Sequence, residues 1–357
     1  MKSTTKISAI ILAAGYSSRM TRFKPLIPLG SLTPLQRCVN LFIDTGIDHI
    51  TVVTGHRSDD IEDAMKQARV KTVFNSRFDE GMFSSVVCGI SSLETTPAAI
   101  FVLPADIPLV RKSTVHSLRQ LFFDNNYDVI YPCFLGKRGH PPLIQGSLAD
   151  EIIHFTGGDG LRGYLNSKSH LNVEVADENI LMDMDYPDQY QRLMEKLPDY
   201  DIPSQSECLA FLKHILKTDD LAITKSMKMA ERANEIMAIL IAQGFHLNKK
   251  LIIASSLLWK LAENQGRHDW FSNKIREIYG DSLLTTMLEK MGSCDVFVKD
   301  TSLENKVVLL ANQLNSTNVN FDLVQWLNEK NFENDFFRLL KSVSDGSVSC
   351  EQQNFTD

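Results

Sequence analysis

The 357-residue sequence predicts an α/β domain followed by an all-helical domain. In the first half, short apolar runs alternate with helical patterns, which is typical of a mostly parallel sheet covered by helices on both faces. After about Leu197 the strand pattern ends, and apolar residues such as Cys208 and Phe211 recur at helical spacing. A polar stretch interrupted by prolines separates the two parts. The predicted organisation is a sheet domain over 1–197, a linker over 198–205, a helical domain over 206–342 and a flexible tail over 343–357.

The pattern of the first half predicts six strands and five intervening helices. The predicted strands are Ile7–Ala13, His49–Thr54, Lys71–Phe74, Ala98–Leu103, Asp128–Pro132 and Asn172–Val175. The predicted helices lie near Pro34–Thr45, Asp59–Ala68, Ser84–Leu93, Ser113–Phe123 and Leu161–Leu165. Because ligands bind beyond the carboxyl ends of parallel strands, we expect functional residues directly after the strands.

Composition restricts the classes of function. The net charge of −7 gives no basic surface for nucleic acid. No apolar run is long enough to span a bilayer, and Ile7–Ala14 is too short for a secretory signal, so we expect a cytoplasmic protein without a membrane partner. The six cysteines are scattered without a Cys-x-x-Cys pair, which argues against a disulfide framework or a zinc site.

The most informative motif is the loop after the first predicted strand. The run Leu12-Ala13-Ala14-Gly15 ends that strand, and Arg19 and Lys24 follow it. Gly15 would let the backbone approach a phosphate closely, and the two cations would bind the same anion. The alternative is an ordinary turn between a strand and a helix, with solvated basic residues.

Carboxylates follow two other apolar segments. Asp106 ends one predicted strand, and Mg²⁺ binds through one or two carboxylates together with substrate phosphates. Asp183 and Asp185 alternate, so both side chains could point at one ion. The alternatives are a turn-forming Asp106 before Pro108 and a helix cap before Pro187. From the pair we expect one metal ligand and one capping or supporting residue.

Two further segments have the composition of substrate loops. Residues 75–86 offer Gly81, Ser84 and Ser85 at a predicted helix start, and residues 136–142 hold two cations and a histidine between glycines and prolines. The second segment could equally be a solvated hairpin tip, and His140 could be a structural hydrogen-bond donor.

Residues 7–195 resemble the nucleotidyltransferase family that includes molybdenum cofactor cytidylyltransferase. The segments that carry the resemblance are Leu12–Gly15 with Ser18, Arg19-Met20 and Lys24; Asn75, Gly81-Met82 and Ser84-Ser85; Ala105–Val110; Arg138–Pro141; and Asp183–Asp188. The sequence departs from the family pattern at Thr21, Ala105 and Tyr186, where the family usually has Gly, Gly and Thr. These departures affect loop geometry more than charge.

The resemblance implies a Rossmann-like enzyme that transfers a cytidylyl group from CTP to the phosphate of a molybdopterin-type cofactor and releases pyrophosphate, with Mg²⁺. The Ala-Ala-Gly form of the loop is similar to the cytidylyl members, whereas guanylyl members more often carry Ala-Gly-Gly. The implied catalytic residues are Arg19, Lys24 and Asp106. The implied nucleotide-binding residues are Leu12, Ala13, Ala14, Gly15, Arg19, Lys24, Gly81, Ser84 and Ser85. The implied acceptor-binding residues are Arg138, Gly139 and His140, and the implied metal ligands are Asp106, Asp185 and Asp183.

Two alternatives remain open. One is a nucleotidyltransferase for sugar phosphates or alditol phosphates, and the other is a molybdenum cofactor chaperone or regulator without turnover. The Arg138-Gly139-His140-Pro141 block favours the cofactor branch. The resemblance to the cofactor branch also implies a partner, a molybdoenzyme that receives the product.

The helical half bears a fainter resemblance to HD-type phosphohydrolase domains. Lys225 stands where that family has its first histidine, Trp259 and Lys260 stand at the His-Asp pair, and Asn312 replaces the last aspartate. This alignment implies a degenerate domain without metal ligands, because neither lysine nor tryptophan offers the needed lone pair. A helical bundle unrelated to HD domains is the alternative.

Overall fold

The computed structural model describes residues 6–20, 22–262, 268–292 and 302–316. The chain divides into two compact units, Met1–Pro198 and Asp199–Asp357. The predicted tail over 343–357 and the departure at Thr21 lie outside the described residues.

The described part of the N-terminal unit is built on one eight-stranded mixed sheet. Its strands are β1 (Ile7–Leu12), β2 (His49–Thr54), β3 (Lys71–Phe74), β4 (Ala99–Pro104), β5 (Val129–Phe134), β6 (Lys137–Arg138), β7 (Leu143–Gln145) and β8 (His170–Glu174). The order is β3-β2-β1-β4-β7-β5-β6, and β8 also pairs with β5. The pairs β1–β2, β1–β4, β2–β3 and β5–β8 are parallel, whereas β7 is antiparallel to β4 and β5, and β6 is antiparallel to β5. The predicted α/β class with a mostly parallel sheet is confirmed.

Continuous apolar runs place β1 and β4 in the centre of this sheet. Every residue of Ile7–Leu12 and of Ala99–Pro104 is buried. A strand that is buried on both faces reads as an unbroken apolar segment rather than an alternating one. The loops that follow these two central strands therefore start side by side, at the edge where the site residues are expected.

The helices of this unit are α1 (Pro34–Asp44), α2 (Ser58–Met65), α3 (Met82–Ser91), α4 (Lys112–Asp124), α5 (Ala149–His154), α6 (Gly160–Leu165) and α7 (Pro187–Lys196). Helix α3 lies close to the sheet, since a Cβ added at Gly89 would stand 2.6 Å from Cγ2 of Ile10 and 2.9 Å from Cγ2 of Val53. This close packing fixes the C-terminal half of α3 against the sheet.

The described residues of the C-terminal unit form helices and no strand. The helices are α8 (Gln205–Ala210), α9 (Asp220–Ala242), α10 (Lys249–Ala262), α11 (His268–Tyr279), α12 (Leu283–Gly292) and α13 (Leu303–Ser316), with a π-helical turn over Phe211–Ile215. Helices α9, α10 and α13 pack against one another. None of the helices in the described ranges combines the length and apolar character needed to cross a bilayer.

The positions of the HD-type resemblance lie on these three helices. Lys225 is exposed on α9, Trp259 is buried on α10 beside Lys260, and Asn312 lies on α13. The resemblance itself stays a prediction.

Candidate active site

The loop after β1 is held against the end of β2 by backbone hydrogen bonds. The Ala13 N–H donates to the Val53 carbonyl (2.9 Å), and the His56 N–H donates to the Ala14 carbonyl (3.1 Å). Both alanine side chains are buried, whereas a Cβ added at Gly15 would meet nothing within 4 Å. The backbone at Gly15 therefore borders open space at the edge of the sheet.

Ser17 shapes the next turn. It adopts a left-handed conformation with φ of +58°, and its carbonyl accepts a hydrogen bond from the Met20 N–H (3.0 Å). Its hydroxyl accepts a hydrogen bond from the Lys24 N–H (3.0 Å). One serine therefore ties the loop to the segment that carries Lys24.

Lys24 and Arg19 converge on one carboxylate. Lys24 Nζ lies 2.5 Å from Oδ1 of Asp185 and 3.8 Å from Oδ2 of Asp106, and Arg19 Nη1 lies 2.8 Å from Oδ2 of Asp185. The hydrogen bond from Lys24 and the nearby Arg19 charge hold the pKa of Asp185 below its usual range. The ammonium group of Lys24 therefore lies between two carboxylates from distant parts of the chain.

The pKa of Asp106 is shifted in the opposite direction. Burial raises the pKa of this carboxyl, the negative charges of Asp185 and Asp183 raise it further, and Lys24 only partly offsets them. The carboxylates of this cluster therefore outnumber its cations. This excess of negative charge favours the binding of a further cation.

Asp183 is tied to the start of α7. Gln189 Nε2 donates to Oδ1 of Asp183 (2.6 Å), and Gln189 Oε1 accepts from the Tyr186 N–H (2.8 Å). Burial raises the pKa of Asp183. Within the described ranges, no three His, Cys, Asp or Glu side chains form a group that could hold a metal ion. The donors that remain for an ion are Asp106 and Asp185, with Asp183 in a supporting position.

Two neighbouring cavities share three wall residues, Leu12, Met82 and Pro104, and the smaller one borders this cluster. The smaller cavity, of about 340 Å³, is lined by the loop Ala13–Gly15, Lys24 and Asp106. We call it the donor cavity. The larger, of about 770 Å³, is lined by the segment 136–140 and by residues of α6. We call it the acceptor cavity.

The structure distinguishes the two serines at the start of α3. Ser85 lines the donor cavity, as does Gly81, whose φ of +99° favours glycine. Ser84 lines neither cavity. Its buried hydroxyl lies 2.7 Å from the Arg77 carbonyl oxygen, 2.8 Å from the Gly81 carbonyl oxygen and 2.8 Å from Asn75 Nδ2. These contacts let Ser84 shape the turn, and its nucleotide-binding role stays a prediction.

The segment 138–140 is fixed from both sides. The Gly139 N–H donates to the Pro132 carbonyl (2.8 Å), and the His140 N–H donates to the Ile180 carbonyl (3.0 Å). A Cβ added at Gly139 would stand 2.5 Å from the Ile180 oxygen, so the close approach requires glycine. Burial lowers the pKa of His140, and its Nδ1 has no hydrogen-bond partner in the described part of the chain. His140 therefore contributes a neutral ring to the acceptor cavity.

The sequence patterns did not predict several of the residues that line the two cavities. Tyr16 and Phe78 line the donor cavity with ring centroids 5.2 Å apart, and Tyr16 also lies 5.1 Å from the His56 ring. Tyr131 and Arg162 line the acceptor cavity. Isolated aromatic and basic residues belong to no recognisable motif, so only the fold brings them to the site.

Residues 9–173 match the family model of the MobA-like NTP transferase domain. The N-terminal unit therefore carries a MobA-like NTP transferase domain. The chain is similar to the molybdenum cofactor cytidylyltransferase of Escherichia coli (strain K12), with 26% identity over 191 residues, 53% of this chain and 96% of that protein. It is also similar to the bifunctional protein GlmU of Geotalea uraniireducens (strain Rf4), with 30% identity over 115 residues, which span 31% of this chain but only 25% of that protein.

Solved structures similar to this chain cover about half of it. A nucleotidyl transferase from Methanothermobacter aligns with a TM-score of 0.48 and 22% identity over 54% of this chain and 98% of that chain. A cytidylyltransferase from Leptospira borgpetersenii aligns with a TM-score of 0.45 and 16% identity over 54% of this chain and 87% of that chain.

Proposed function

We propose that the N-terminal unit transfers a cytidylyl group from CTP to the terminal phosphate of a molybdopterin-type cofactor and releases pyrophosphate. The observation that carries this proposal is the pair of adjoining cavities, which share Leu12, Met82 and Pro104. Nucleotidyl transfer requires two ligands aligned with their reacting groups in line. Two cavities with a common wall, one of them bordered by a charge cluster, provide such an arrangement.

The donor cavity suits a nucleoside triphosphate. The open backbone at Gly15 can approach phosphate oxygens, and Lys24 and Arg19 can exchange part of their contact with Asp185 for the triphosphate. Both cations would then neutralise negative charge that develops on the leaving pyrophosphate.

A divalent metal ion fits the remaining donors. Asp106 and Asp185 offer hard carboxylate oxygens on either side of Lys24 Nζ, and Mg²⁺ accepts one or two carboxylates together with phosphate oxygens. Asp106 and Asp185 would hold the ion, and Asp183 would support them from the start of α7. When bound, the ion would supply charge neutralisation at the phosphates.

The choice of CTP and of the acceptor rests on two observations. The loop has the Ala13-Ala14-Gly15 form, and the cytidylyltransferase relative is matched over 96% of its length. At 26% identity, that relative supports the acceptor as a hypothesis to be tested.

The test begins with thermal unfolding of the full chain in the presence of CTP, GTP, ATP or UTP, each with Mg²⁺. Selective stabilisation by CTP is expected. Transfer from α-labelled CTP to molybdopterin is then measured for the wild type, for Asp106→Asn and for the matched control Asp44→Asn, a 45% exposed surface carboxylate paired with Lys112.

Turnover that is lost in Asp106→Asn and kept in Asp44→Asn supports the proposal. Transfer to a sugar phosphate or an alditol phosphate but not to molybdopterin would assign the alternative acceptor. Stabilisation by a nucleotide other than CTP would change the donor, and the absence of both binding and turnover would contradict an enzymatic role.

A further inference from the structure

The acceptor cavity carries an excess of positive charge that is separate from the charge cluster around Lys24. Its lining includes three cationic side chains, Lys137, Arg138 and Arg162, against one carboxylate, Asp159. Neither arginine forms an ion pair with any carboxylate in the described part of the chain, although the whole protein carries a net charge of −7. A locally positive cavity in an acidic protein indicates an anionic ligand.

Tyr131, Arg138 and Arg162 line the same cavity. The Arg138 guanidinium stands over the Tyr131 ring at 4.4 Å from the ring centroid. Burial raises the pKa of Tyr131, and the positive charges of Arg138 and Arg162 partly offset this rise.

Arg138 is held in place while it keeps donors free. Its Nε donates to Oδ1 of Asn172 (2.8 Å), and the ring of Tyr131 supports its planar face. Its terminal nitrogens have no hydrogen-bond partner among the described residues. A guanidinium that is oriented by a neutral amide keeps its full charge for a ligand.

The rest of the wall is apolar and extensive. Phe83, Leu161 and Leu165 are among the lining residues. At about 770 Å³ the acceptor cavity is more than twice as large as the donor cavity of about 340 Å³. A ligand that fills such a space has a bulky body that tolerates apolar contact, in addition to its charge.

From these observations we infer that Arg162, together with Arg138 and the ring of Tyr131, binds an anionic group of a bulky heterocyclic acceptor. The inference deepens the proposed function and rests on it, because it assigns residues that select the acceptor of that reaction. It adds Arg162 and Tyr131 to the acceptor-binding residues, and it separates their role from that of Lys24 and Arg19 at the triphosphate.

The experiment uses the full chain, the variant Arg162→Gln and the matched control Arg69→Gln, an exposed arginine that lines neither cavity. Binding without turnover is measured by the intrinsic fluorescence of pterin-6-carboxylate and of 6-hydroxymethylpterin, a matched probe without the charge. Steady-state transfer then gives KM for molybdopterin and for CTP.

The wild type is expected to bind the carboxylated pterin more tightly than the neutral one. Because a hydrogen bond to a charged group at a partly exposed site is a moderate interaction, Arg162→Gln should weaken binding of the carboxylated probe by about five- to tenfold and leave the neutral probe unchanged. KM for molybdopterin should rise by a similar factor, with KM for CTP and kcat nearly constant.

Other outcomes separate the two proposals. If the wild type prefers the carboxylated probe and Arg162→Gln abolishes that preference, but molybdopterin is not a substrate, then the site assignment stands and the proposed acceptor is wrong. If Arg162→Gln behaves like Arg69→Gln with both probes, if it weakens both probes equally, or if the wild type binds neither probe, then the inference is overturned.

Discussion

Replacement of Lys24 by methionine tests the charge cluster most directly. The side chain of Lys24 is 12% exposed, and its ammonium group lies between Asp185 and Asp106 at 2.5 and 3.8 Å. Methionine preserves much of the apolar stem but leaves two neighbouring carboxylates without their shared cation. The folded state then contains like charges in a partly desolvated place, so both stability and triphosphate binding should fall.

The size of the effect follows from distance and exposure. At an effective dielectric constant of about 20, unit charges about 4 Å apart attract by about 4 kcal/mol, and breaking a buried pair costs about 3–5 kcal/mol. Asp106 and Asp185 are 27% and 31% exposed, so water relieves part of this cost. We therefore expect a loss of about 2 kcal/mol, smaller than for a fully buried pair. For a unit of this size, such a loss lowers Tm by about 4–8 °C.

Thermal unfolding of the ligand-free chain and titration calorimetry with CTP and Mg²⁺ measure the two effects. Because a hydrogen bond to a charged group contributes about 1.5–3 kcal/mol, Kd for CTP should rise about tenfold to a hundredfold. The control is Lys112→Met, which removes a 59% exposed lysine from its surface pair with Asp44 and should change stability by less than about 1 kcal/mol. If Lys24→Met matches this control in both measurements, Lys24 is neither the counter-ion of the cluster nor a triphosphate ligand.

Four further predictions follow from the same geometry. Asp106→Asn should raise Tm at pH 7, because burial raises the pKa of Asp106 and its ionised form is costly; the gain should vanish as the pH falls below the ordinary value of 3.8. Asp185→Asn should lower Tm at pH 7, because Lys24 and Arg19 depress the pKa of Asp185 and its charge stabilises the fold above pH 3.8. Gly139→Ala places a methyl group 2.5 Å from the Ile180 oxygen, so it should destabilise the unit by about 1–3 kcal/mol and raise KM for the acceptor more than KM for CTP. Tyr16→Ala removes a 53% exposed ring from the donor cavity and should weaken CTP binding about tenfold, the magnitude of one aromatic–base stack.

Each of these variants has an outcome that contradicts its reasoning. Equal Tm shifts in Asp106→Asn and Asp185→Asn would show that the two carboxylates share one environment. A Gly139→Ala variant with wild-type stability would mean that the Ile180 segment moves freely. A Tyr16→Ala variant with unchanged affinity for CTP but altered affinity for the acceptor would place the nucleobase elsewhere.

The sequence predicted the parallel part of the sheet because β1 and β4 are long, apolar runs. It did not predict β6 and β7, which are two and three residues long and flank a turn rich in glycine and proline. Such short strands form only because β5 and β4 offer partners, and that pairing is a tertiary property. The predicted fold class is still correct, but the sequence did not predict that β7 lies antiparallel between β4 and β5.

In the candidate site, too, the sequence predicted some features, and only the structure shows the others. Arg19, Lys24, Asp106 and Asp185 were predicted from motifs, and the structure brings their side chains into one cluster. Sequence spacing does not reveal that Lys24 bridges two carboxylates, since Asp185 is 161 residues away. The assignment of Ser84 to the nucleotide stays a prediction, and sequence spacing does not reveal that three neighbouring polar groups already engage its hydroxyl in the folded turn.

If the proposed transfer takes place, the common wall of the two cavities affects the release of the product. A dinucleotide formed by joining the two ligands would be a bivalent ligand, with one half in each cavity across Leu12, Met82 and Pro104. Once one half is bound, the other half rebinds at a high effective concentration, so the joined molecule is retained more strongly than either part alone. Release of the product, rather than its formation, would then limit the steady-state rate, and a burst of product in the first turnover is the kinetic signature of that regime.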